Sequence, residues 1–327
     1  MAQLPAETRR RGKPPLFWGK PPLFWGWSRQ TRRNFATGMA FISLWIIGFL
    51  AFNLYPMIAS LYYSFTEYHI KFPPVWIGLQ NYSDMLVDQR FYKGLENTGY
   101  MVVIGVSLGL VLSFMCAVLL NLKVRGQSIY RVLYYLPSIV PTVAGSLLFM
   151  WILNPTSGMI NRVLGYLSLP GPDWLHDPLW AKPALIMLGL WGIGGTIIIY
   201  LSGLQDVPVS LLEAAQLDGA SWLQRLRYVT IPMVSPITLY NLITGVIGMF
   251  QYFTQAYVFA SASSPMGASL GSPLDSTLFY SVYLYHVGFQ YLKMGYASAM
   301  AWVLFIIILA CTLLLMRLSN RWTYYAG

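Results

Sequence analysis

The chain has 327 residues, of which 56% are hydrophobic and only 10% are charged, and its formal net charge is +10 at pH 7. Soluble domains carry roughly 25% charged residues, so this composition excludes an ordinary soluble protein. It indicates an integral membrane protein. The positive charge is compatible both with nucleic-acid binding and with membrane topology, and its position along the chain decides between them.

The first 35 residues are predicted to form a basic tail. They contain a tandem repeat, GKPPLFW, at 12–18 and again at 19–25. Paired prolines oppose a helix, and Trp and Phe beside Lys suit a membrane interface. The repeat is either an interfacial anchor or a short duplication in a tolerant tail.

Six apolar segments follow, each close to the roughly 20 residues that a spanning helix needs. We place them at 36–57, 100–121, 130–152, 181–204, 237–260 and 296–316. Pro137 and Pro141 predict a kink in the third segment. The predicted fold class is an all-α, polytopic membrane protein with six transmembrane helices. The membrane domain covers 36–316, and 317–327 forms a short C-terminal tail.

Three connections are long enough to carry structure. The segment 58–99 is mixed in charge and is predicted to form a small helical lid or a docking patch. The segment 153–180 is rich in Pro and Gly, which predicts turns rather than a folded unit. The segment 261–295 begins rich in Ser, Gly and Pro and ends aromatic, so part of it is expected to dip toward the membrane or form a short outer helix.

The distribution of Lys and Arg orients the chain. With the N-terminus in the cytoplasm, fifteen of the 21 Lys and Arg residues fall on the inner side. This agrees with the positive-inside rule. Both termini and the segment 205–236 are therefore predicted to be cytoplasmic. The excess charge is interpreted as a topology signal that contacts anionic lipid, not as a nucleic-acid surface.

The sequence contains no recognisable catalytic, metal-binding or nucleotide-binding motif. No span carries an ionisable residue away from its ends, and the three histidines lack metal-ligand spacing. Cys116 and Cys311 both fall inside predicted spans, where small packing roles are expected. There is no phosphate-binding loop for ATP. We expect no catalytic residue, metal or cofactor in this chain, so work against a gradient would need energy from another protein.

The segment 210–236 interrupts the apolar sequence with charges and turn residues. Ser210 and Glu213 have the spacing of a capping box, which predicts a helix over about 211–217. Gly219 then stands where a glycine ends a helix.

A second helix is predicted to follow this turn. Ser221 and Gln224 repeat the capping spacing, so the helix should start near Ser221. Pro232 and Pro236 then bend the chain back into the membrane. Local rules alone predict a rigid helix–turn–helix at the membrane surface, or a well-capped connector without a partner.

This segment resembles the EAA loop of inner-membrane subunits of ABC importers. Glu213-Ala214-Ala215 is followed three residues on by Gly219, and nine residues later by Val229-Thr230-Ile231-Pro232. The family pattern has Ile and Leu where this chain has Val229 and Ile231, and both changes are conservative. The stretches "RGQSIYRVLYYLPSIVP", "GLQDVPVSLLEAAQLDGAS" and "LYHVGFQYLKMGYASAMAWVLF" are similar to the carbohydrate branch of the family. The family's T-x-G-G-P-like turn is replaced by a longer stretch, "ASASSPMGASLGSPLDST".

The resemblance implies a type I importer permease in a bacterial or archaeal plasma membrane. The chain would form half of the translocation path. Its implied partners are a second permease subunit, two ATPase subunits that bind ATP and Mg, and an extracytoplasmic solute-binding protein. The residues implied in ATPase coupling are Glu213, Ala214, Ala215, Asp218, Gly219, Arg225, Arg227 and Pro232.

The implied cargo is a sugar or an oligosaccharide. Alternatives are another solute such as glycerol phosphate or a polyol, a channel or secondary carrier, and a membrane enzyme. Sugars need amide and hydroxyl partners with aromatic faces, so the substrate path is expected to include Trp191, Tyr240, Asn241, Gln251, Tyr252 and Gln255. The amides could instead hydrogen-bond between helices at the interface with the second permease.

Overall fold

The computed structural model describes residues 28–122, 125–262 and 271–324. The GKPPLFW repeat and residues 263–270 of the long stretch after the fifth span lie outside them. The chain divides into two compact units, Met1–Ile58 and Ala59–Gly327. Among the described residues, three helices are long and apolar enough to cross a membrane alone, and three bent helix pairs bring the possible total to six.

The first helix is longer than its apolar segment. α1 covers Arg29–Ser64, with Ser28 accepting a hydrogen bond from the Thr31 N–H as its cap. One π-helical turn, Leu50–Leu54, interrupts it. The polar N-terminal turns extend the helix beyond the predicted 36–57 because Ser28 supplies a good cap.

A hairpin and a short helix follow α1. β1 (Thr66–Glu67) pairs antiparallel with β2 (Val75–Trp76), and α2 covers Gln80–Val87. Asn81 fastens this region, since its Nδ2 donates to the backbone oxygens of both Ser64 and Thr66 at 2.9 Å. The segment 58–99 is therefore a small, partly helical unit.

The second span begins well before its apolar segment. α3 covers Gln89–Leu120, whereas apolarity alone predicted 100–121. Asp88 caps it by accepting from the N–H groups of Arg90 and Phe91. Because a capped helix propagates through polar residues that contain no proline, its first three turns lie outside the apolar stretch.

The third segment is not one kinked helix, as predicted, but two. α4 (Gln127–Ile139) and α5 (Thr142–Ile152) lie at 100° to each other. Val140 is extended, with φ −65° and ψ 130°. The ring of Pro141 disfavours a helical residue before it, so the chain turns here completely.

The segment 153–180 is also more ordered than predicted. It contains α6 (Met159–Tyr166). Asn161 donates to the backbone oxygens of Pro155 and Pro172 at 3.0 Å and accepts from the Trp174 indole at 2.8 Å. One amide side chain thus satisfies the carbonyls of a proline-rich loop, which Pro and Gly counts do not reveal.

The fourth span is a pair of helices. α7 (Pro178–Trp191) and α8 (Gly194–Gln205) meet at 50°. A Cβ on Gly194 would lie closer than 3.0 Å to the backbone oxygen of Tyr134 in α4. Gly194 therefore lets α8 and α4 approach closely, as small residues do where membrane helices pack.

The remaining helices complete the second unit. α9 covers Val209–Leu217, and α10 covers Trp222–Met233. α11 (Ser235–Phe250) and α12 (Thr254–Ala262) replace the single predicted fifth span, with a 63° bend before Ser235 and a break at 251–253. α13 (Tyr280–Tyr285) continues as a π turn, His286–Gln290, and α14 covers Met294–Ser319.

The buried core lies where these helices cross. α3 packs against α8 and α11, and α11 packs against α14. α13 packs on the first turns of α3, where the Tyr280 N–H donates to the Thr98 hydroxyl at 2.9 Å. The short helix predicted as one possibility for 261–295 is present as α13.

Candidate coupling loop and substrate cavity

The first helix of the coupling loop begins earlier than the sequence indicated. α9 starts at Val209 after Pro208, and no side chain caps it. The predicted capping box of Ser210 and Glu213 is therefore wrong. Pro208 presets the backbone angle that starts a helix, so Ser210 is already helical and cannot act as the cap.

The predicted turn at Gly219 is confirmed. Its φ is +78°, a left-handed conformation that glycine adopts without strain. The Ala220 N–H donates to the Ala215 oxygen at 2.9 Å, and the Gly219 N–H donates to the Gln216 oxygen at 3.1 Å. This pair of bonds ends α9 in the way typical of helices with a C-terminal glycine.

The second capping box is present as predicted. The Ser221 N–H donates to Gln224 Oε1 at 2.7 Å, while the Gln224 N–H donates to Ser221 Oγ at 3.4 Å. Arg225 Nη1 then donates to Gln216 Oε1 at 2.9 Å. Because this bond joins α10 to α9 across the turn, the two helices are held in one arrangement.

The predicted coupling residues lie on different faces of this loop. Glu213, Ala214, Asp218 and Gly219 are exposed, and Ala215 is half-buried. Helical geometry places Glu213, Ala214 and Leu217 on one face, opposite to Leu212 and Ala215. Leu217 is 89% exposed, so α9 presents an uncovered surface.

The other predicted members are farther along α10. Arg225 is half-buried, and Arg227 is exposed with its guanidinium 5.7 Å from the centre of the Tyr228 ring. Pro232 is half-buried in the last turn of α10, just before the 63° bend. Pro232 thus belongs to the bend rather than to the exposed surface.

Two of the six predicted substrate-path residues share a cavity. Asn241 and Tyr252 line a space of about 190 Å³ between α3, α7, α8 and α11, together with Ser113. Among the described residues, no partner forms a well-aligned hydrogen bond with Asn241 Nδ2, Tyr252 OH or Ser113 Oγ, and all three atoms are buried. Asn241 also approaches the Tyr200 hydroxyl. Buried polar atoms without partners mark a place for water or ligand.

The other four predicted residues lie elsewhere. Trp191 stacks at a tilt on Phe149, with ring centres 5.4 Å apart. Tyr240 is 57% exposed, and Gln251 is exposed in the break after α11. Gln255 is half-buried in α12. The structure does not bring these four into the cavity of Asn241 and Tyr252.

Sequence reasoning missed Ser113 and the glycines that shape this cavity. The lining glycines come from three spans and include Gly105, Gly109, Gly189 and Gly245. Without a side chain, each leaves room beside its helix. The Gly105 and Gly109 spacing was the available signal, but it indicated packing rather than a cavity.

A second and larger cavity, of about 490 Å³, lies between the hairpin, α2, α13 and the start of α14. Asp88 lines this cavity and accepts hydrogen bonds from the hydroxyls of Tyr283 at 2.5 Å and Tyr296 at 2.8 Å. Burial, and then the Asp88 carboxylate, raise the pKa of Tyr283. Asp88 therefore both caps α3 and joins it to α13 and α14.

Within 28–122, 125–262 and 271–324, no three His, Cys, Asp or Glu side chains come together as a metal-ion site. The histidines are engaged separately. His176 Nδ1 lies 3.0 Å from Asp173, and His286 Nδ1 donates to Gln290 Oε1 at 2.5 Å. The described residues therefore offer polar groups beside the cavities and an exposed surface on α9.

The fold and the loop both have counterparts in known proteins. A probable ABC transporter permease protein, YesP of Bacillus subtilis (strain 168), is 41% identical over 301 residues, covering 91% of this chain and 95% of that protein. The arabinooligosaccharides transport system permease protein AraP of the same organism is 30% identical, covering 86% and 87%. The lactose transport system permease protein LacF of Rhizobium radiobacter is 31% identical, covering 83% and 90%.

Solved structures agree on the fold. A chain of a bacterial ABC transporter involved in the import of the acidic polysaccharide alginate superposes with a TM-score of 0.75 at 23% identity, covering 90% of this chain and 99% of that one. The family model for the binding-protein-dependent transport system inner membrane component matches residues 109–323, a range that contains the whole helix–turn–helix. The chain therefore belongs to this family of inner-membrane permease subunits of ABC importers.

Proposed function

We propose that this chain is one transmembrane subunit of an ATP-driven importer for sugars or oligosaccharides. Relatives named for arabinooligosaccharide and lactose transport support this cargo class. An importer of a polyol or glycerol phosphate would use the same subunit architecture, and transport assays distinguish the cargoes. The chain itself holds no cofactor in this proposal, because ATP and Mg bind to the partner ATPase.

The observation that carries the proposal is the rigid but uncovered α9. None of its residues is buried, yet the Gly219 turn and the bond from Arg225 to Gln216 fix its position. A helix whose position is fixed and whose surface is exposed is suited to dock in a groove of another protein. That protein would be the ATPase, which would contact Glu213, Ala214 and Asp218.

The remaining partners follow from the same architecture. A second permease subunit would complete the path, two ATPase subunits would bind the paired coupling loops, and an extracytoplasmic protein would deliver the solute. A solved relative of the fold is in complex with an alginate pentasaccharide-bound periplasmic protein, which supports the last of these partners. Both chain termini and α9 would face the cytoplasm, in keeping with the positive-inside rule.

Asn241, Tyr252 and Ser113 are our proposed substrate contacts. All three residues line one cavity, and their buried polar atoms lack well-aligned partners among the described residues. A sugar hydroxyl both donates and accepts, so it can satisfy the amide and the two hydroxyls. Alternating access would expose this cavity to each side in turn as ATP binding moves the coupling helices.

Coupling is tested with the complete importer in proteoliposomes. Gly219→Pro and Glu213→Lys are each expected to lower ATP-driven sugar uptake at least about tenfold, since both disturb the docking surface. Co-purification of the ATPase measures docking directly. Unchanged uptake and ATPase association in both variants would show that the loop is only a connector.

The substrate contacts are tested with Tyr252→Phe. Because the hydroxyl is buried with no partner in the described part of the chain, its removal should leave thermal stability unchanged or slightly raised. If the hydroxyl binds sugar, the variant should raise the KM for uptake several-fold. Uptake kinetics that match the wild-type chain would remove Tyr252 from the path.

A further inference from the structure

A small cavity beside the coupling loop is lined by an arginine that has a hydrogen-bond donor without a partner among the described residues. It has a volume of about 170 Å³, well above the ~30 Å³ that one water occupies in the liquid. Arg225 is the one charged residue among the described residues that line it. Its Nη1 is bound to Gln216, but its Nε is buried and has no hydrogen-bond partner within the described part of the chain.

The other lining groups suit an anion. Asn121, Trp222 and Thr230 border the cavity with Arg225, and their amide, indole and hydroxyl groups can all donate hydrogen bonds. No carboxylate of the described ranges lines the cavity. An arginine whose planar guanidinium has spare donors is well matched to the oxygens of a phosphate group.

The position of the cavity points to lipid. Its lining includes Leu122, just beyond the end of α3, and Leu204, near the end of α8. It is therefore situated where two spans leave the membrane. On α10, Trp222 is 53% exposed and Tyr228 is 69% exposed, and such aromatic side chains favour the level of the lipid headgroups.

The ATPase is the less suitable occupant. Leu212 lines the cavity, and it shares a face of α9 with Ala215. Glu213, Ala214 and Leu217 lie on the opposite face. A protein seated on the exposed face of α9 would therefore leave the Arg225 cavity open toward the membrane.

We propose that this cavity binds the phosphate of an anionic phospholipid headgroup, with Arg225 as its main ligand. Basic pockets between spanning helices on the cytoplasmic side are suited to acidic headgroups. The bound lipid would brace α9 and α10 against the ends of α3 and α8. This proposal rests on the proposed function only for the cytoplasmic position of the loop.

The experiment uses the complete importer, with its ATPase, in nanodiscs of phosphatidylcholine with and without phosphatidylglycerol. After gentle extraction, native mass spectrometry counts the phospholipids retained. We expect phosphatidylglycerol to be retained by the wild-type complex and reduced about tenfold in Arg225→Gln, because one charge-assisted contact of this kind is lost. Arg225→Lys should give an intermediate value.

Two variants are matched controls. Gln216→Ala removes the bond to Arg225 but keeps the charge, so lipid retention should stay close to the wild-type value. Arg125→Gln removes an exposed cation from the loop between α3 and α4 and should also leave it unchanged. If Gln216→Ala lost the lipid as fully as Arg225→Gln, the arginine would act only by fastening α9 to α10, and the proposal would be overturned.

Other outcomes separate the remaining occupants. Retention of phosphatidylglycerol by Arg225→Gln at the wild-type level would refute the lipid site. Displacement of the lipid by millimolar inorganic phosphate would assign the cavity to free phosphate instead. The ATPase content of each sample is read in the same spectrum. A wild-type complex that lacks ATPase but holds lipid would therefore contradict the proposed function while leaving this inference intact.

Discussion

Lys182 donates a hydrogen bond from Nζ to Oδ1 of Asn97 at 3.0 Å, and so joins α7 to α3. Asn97 is fully buried, and its Nδ2 donates to the backbone oxygens of Asp275 at 2.7 Å and Leu278 at 2.9 Å. The ammonium group also lies 4.9 Å from the centre of the Tyr100 ring. One amide thus holds three separate parts of the chain together.

Asn97→Ala should destabilise the protein by about 2–4 kcal/mol, because it leaves two backbone oxygens and the Lys182 ammonium without their hydrogen-bond partner. Lys182→Met should cost less, since Lys182 is only half-buried. Thermal unfolding in detergent measures both. Alanine at the exposed Gln89 is the control, and an Asn97→Ala chain as stable as that control would contradict this account.

Two adjacent glycines offer a sharper comparison. A Cβ on Gly194 would clash with the Tyr134 oxygen, whereas a Cβ on Gly195 meets no described atom within 4 Å. Gly194→Ala should therefore push α8 away from α4 and destabilise the protein by roughly 1–3 kcal/mol. Gly195→Ala should be neutral or slightly stabilising, because alanine favours a helix. Equal melting temperatures for the two variants would mean that α4 and α8 do not pack as described.

The turn between α9 and α10 depends on its left-handed backbone rather than on available space. Gly219 has φ +78°, and a Cβ added there would meet no described atom within 4 Å. Gly219→Asn should retain most ATP-driven uptake, because asparagine tolerates this conformation. Gly219→Val should lower uptake severalfold, since a β-branched residue is strained there by at least about 1 kcal/mol. Similar uptake from the two variants would show that the angle is unimportant for coupling.

Stability should fall in mild acid because of one histidine in the π turn after α13. Burial lowers the pKa of His286, while the bond to Gln290 acts in the opposite direction and is smaller. Because the pKa of His286 is lowered by folding, the unfolded chain binds more protons than the folded chain in mild acid. The stability that the neutral His286 contributes is therefore complete above the pKa of the unfolded chain, about 6.5, and is lost as the pH falls toward the pKa of the folded chain. Melting temperatures from pH 7.5 to 5, in about half-unit steps, should show this loss.

His286→Gln should reduce that pH dependence, because it removes the buried titrating group. His176→Gln serves as the control, since the His176 side chain is 51% exposed. A wild-type profile that is flat between these limits, or one that His286→Gln leaves unaltered, would rule out this role for His286.

Each of the six predicted apolar segments coincides with a helix or with a pair of helices, because hydrophobic length is a property of the sequence alone. They did not predict where helices begin or break. Asp88 starts α3 within a polar stretch, and Pro141 divides a continuous apolar stretch into two helices. Such boundaries depend on caps and on local backbone conformation, which average hydropathy does not register.

The structure of the coupling loop was predicted more closely than the cavity that we propose for the substrate. The turn at Gly219 and the capping box of Ser221 and Gln224 depend on residues close together in the chain, so the sequence alone reveals them. The cavity brings Ser113 and Tyr252 together from distant spans. Their meeting depends on how α3 packs against α11, and no local pattern in either helix specifies it.

The division of the third span also bears on how the chain enters the membrane. At 13 and 11 residues, α4 and α5 are only about 20 and 17 Å long, whereas the hydrocarbon layer is about 30 Å thick. Neither helix can cross the bilayer alone, and their 100° bend prevents them from adding their lengths. During biosynthesis, α4 and α5 should therefore reach their final position in the membrane only after α8 has been made, because α4 packs against Gly194 of α8.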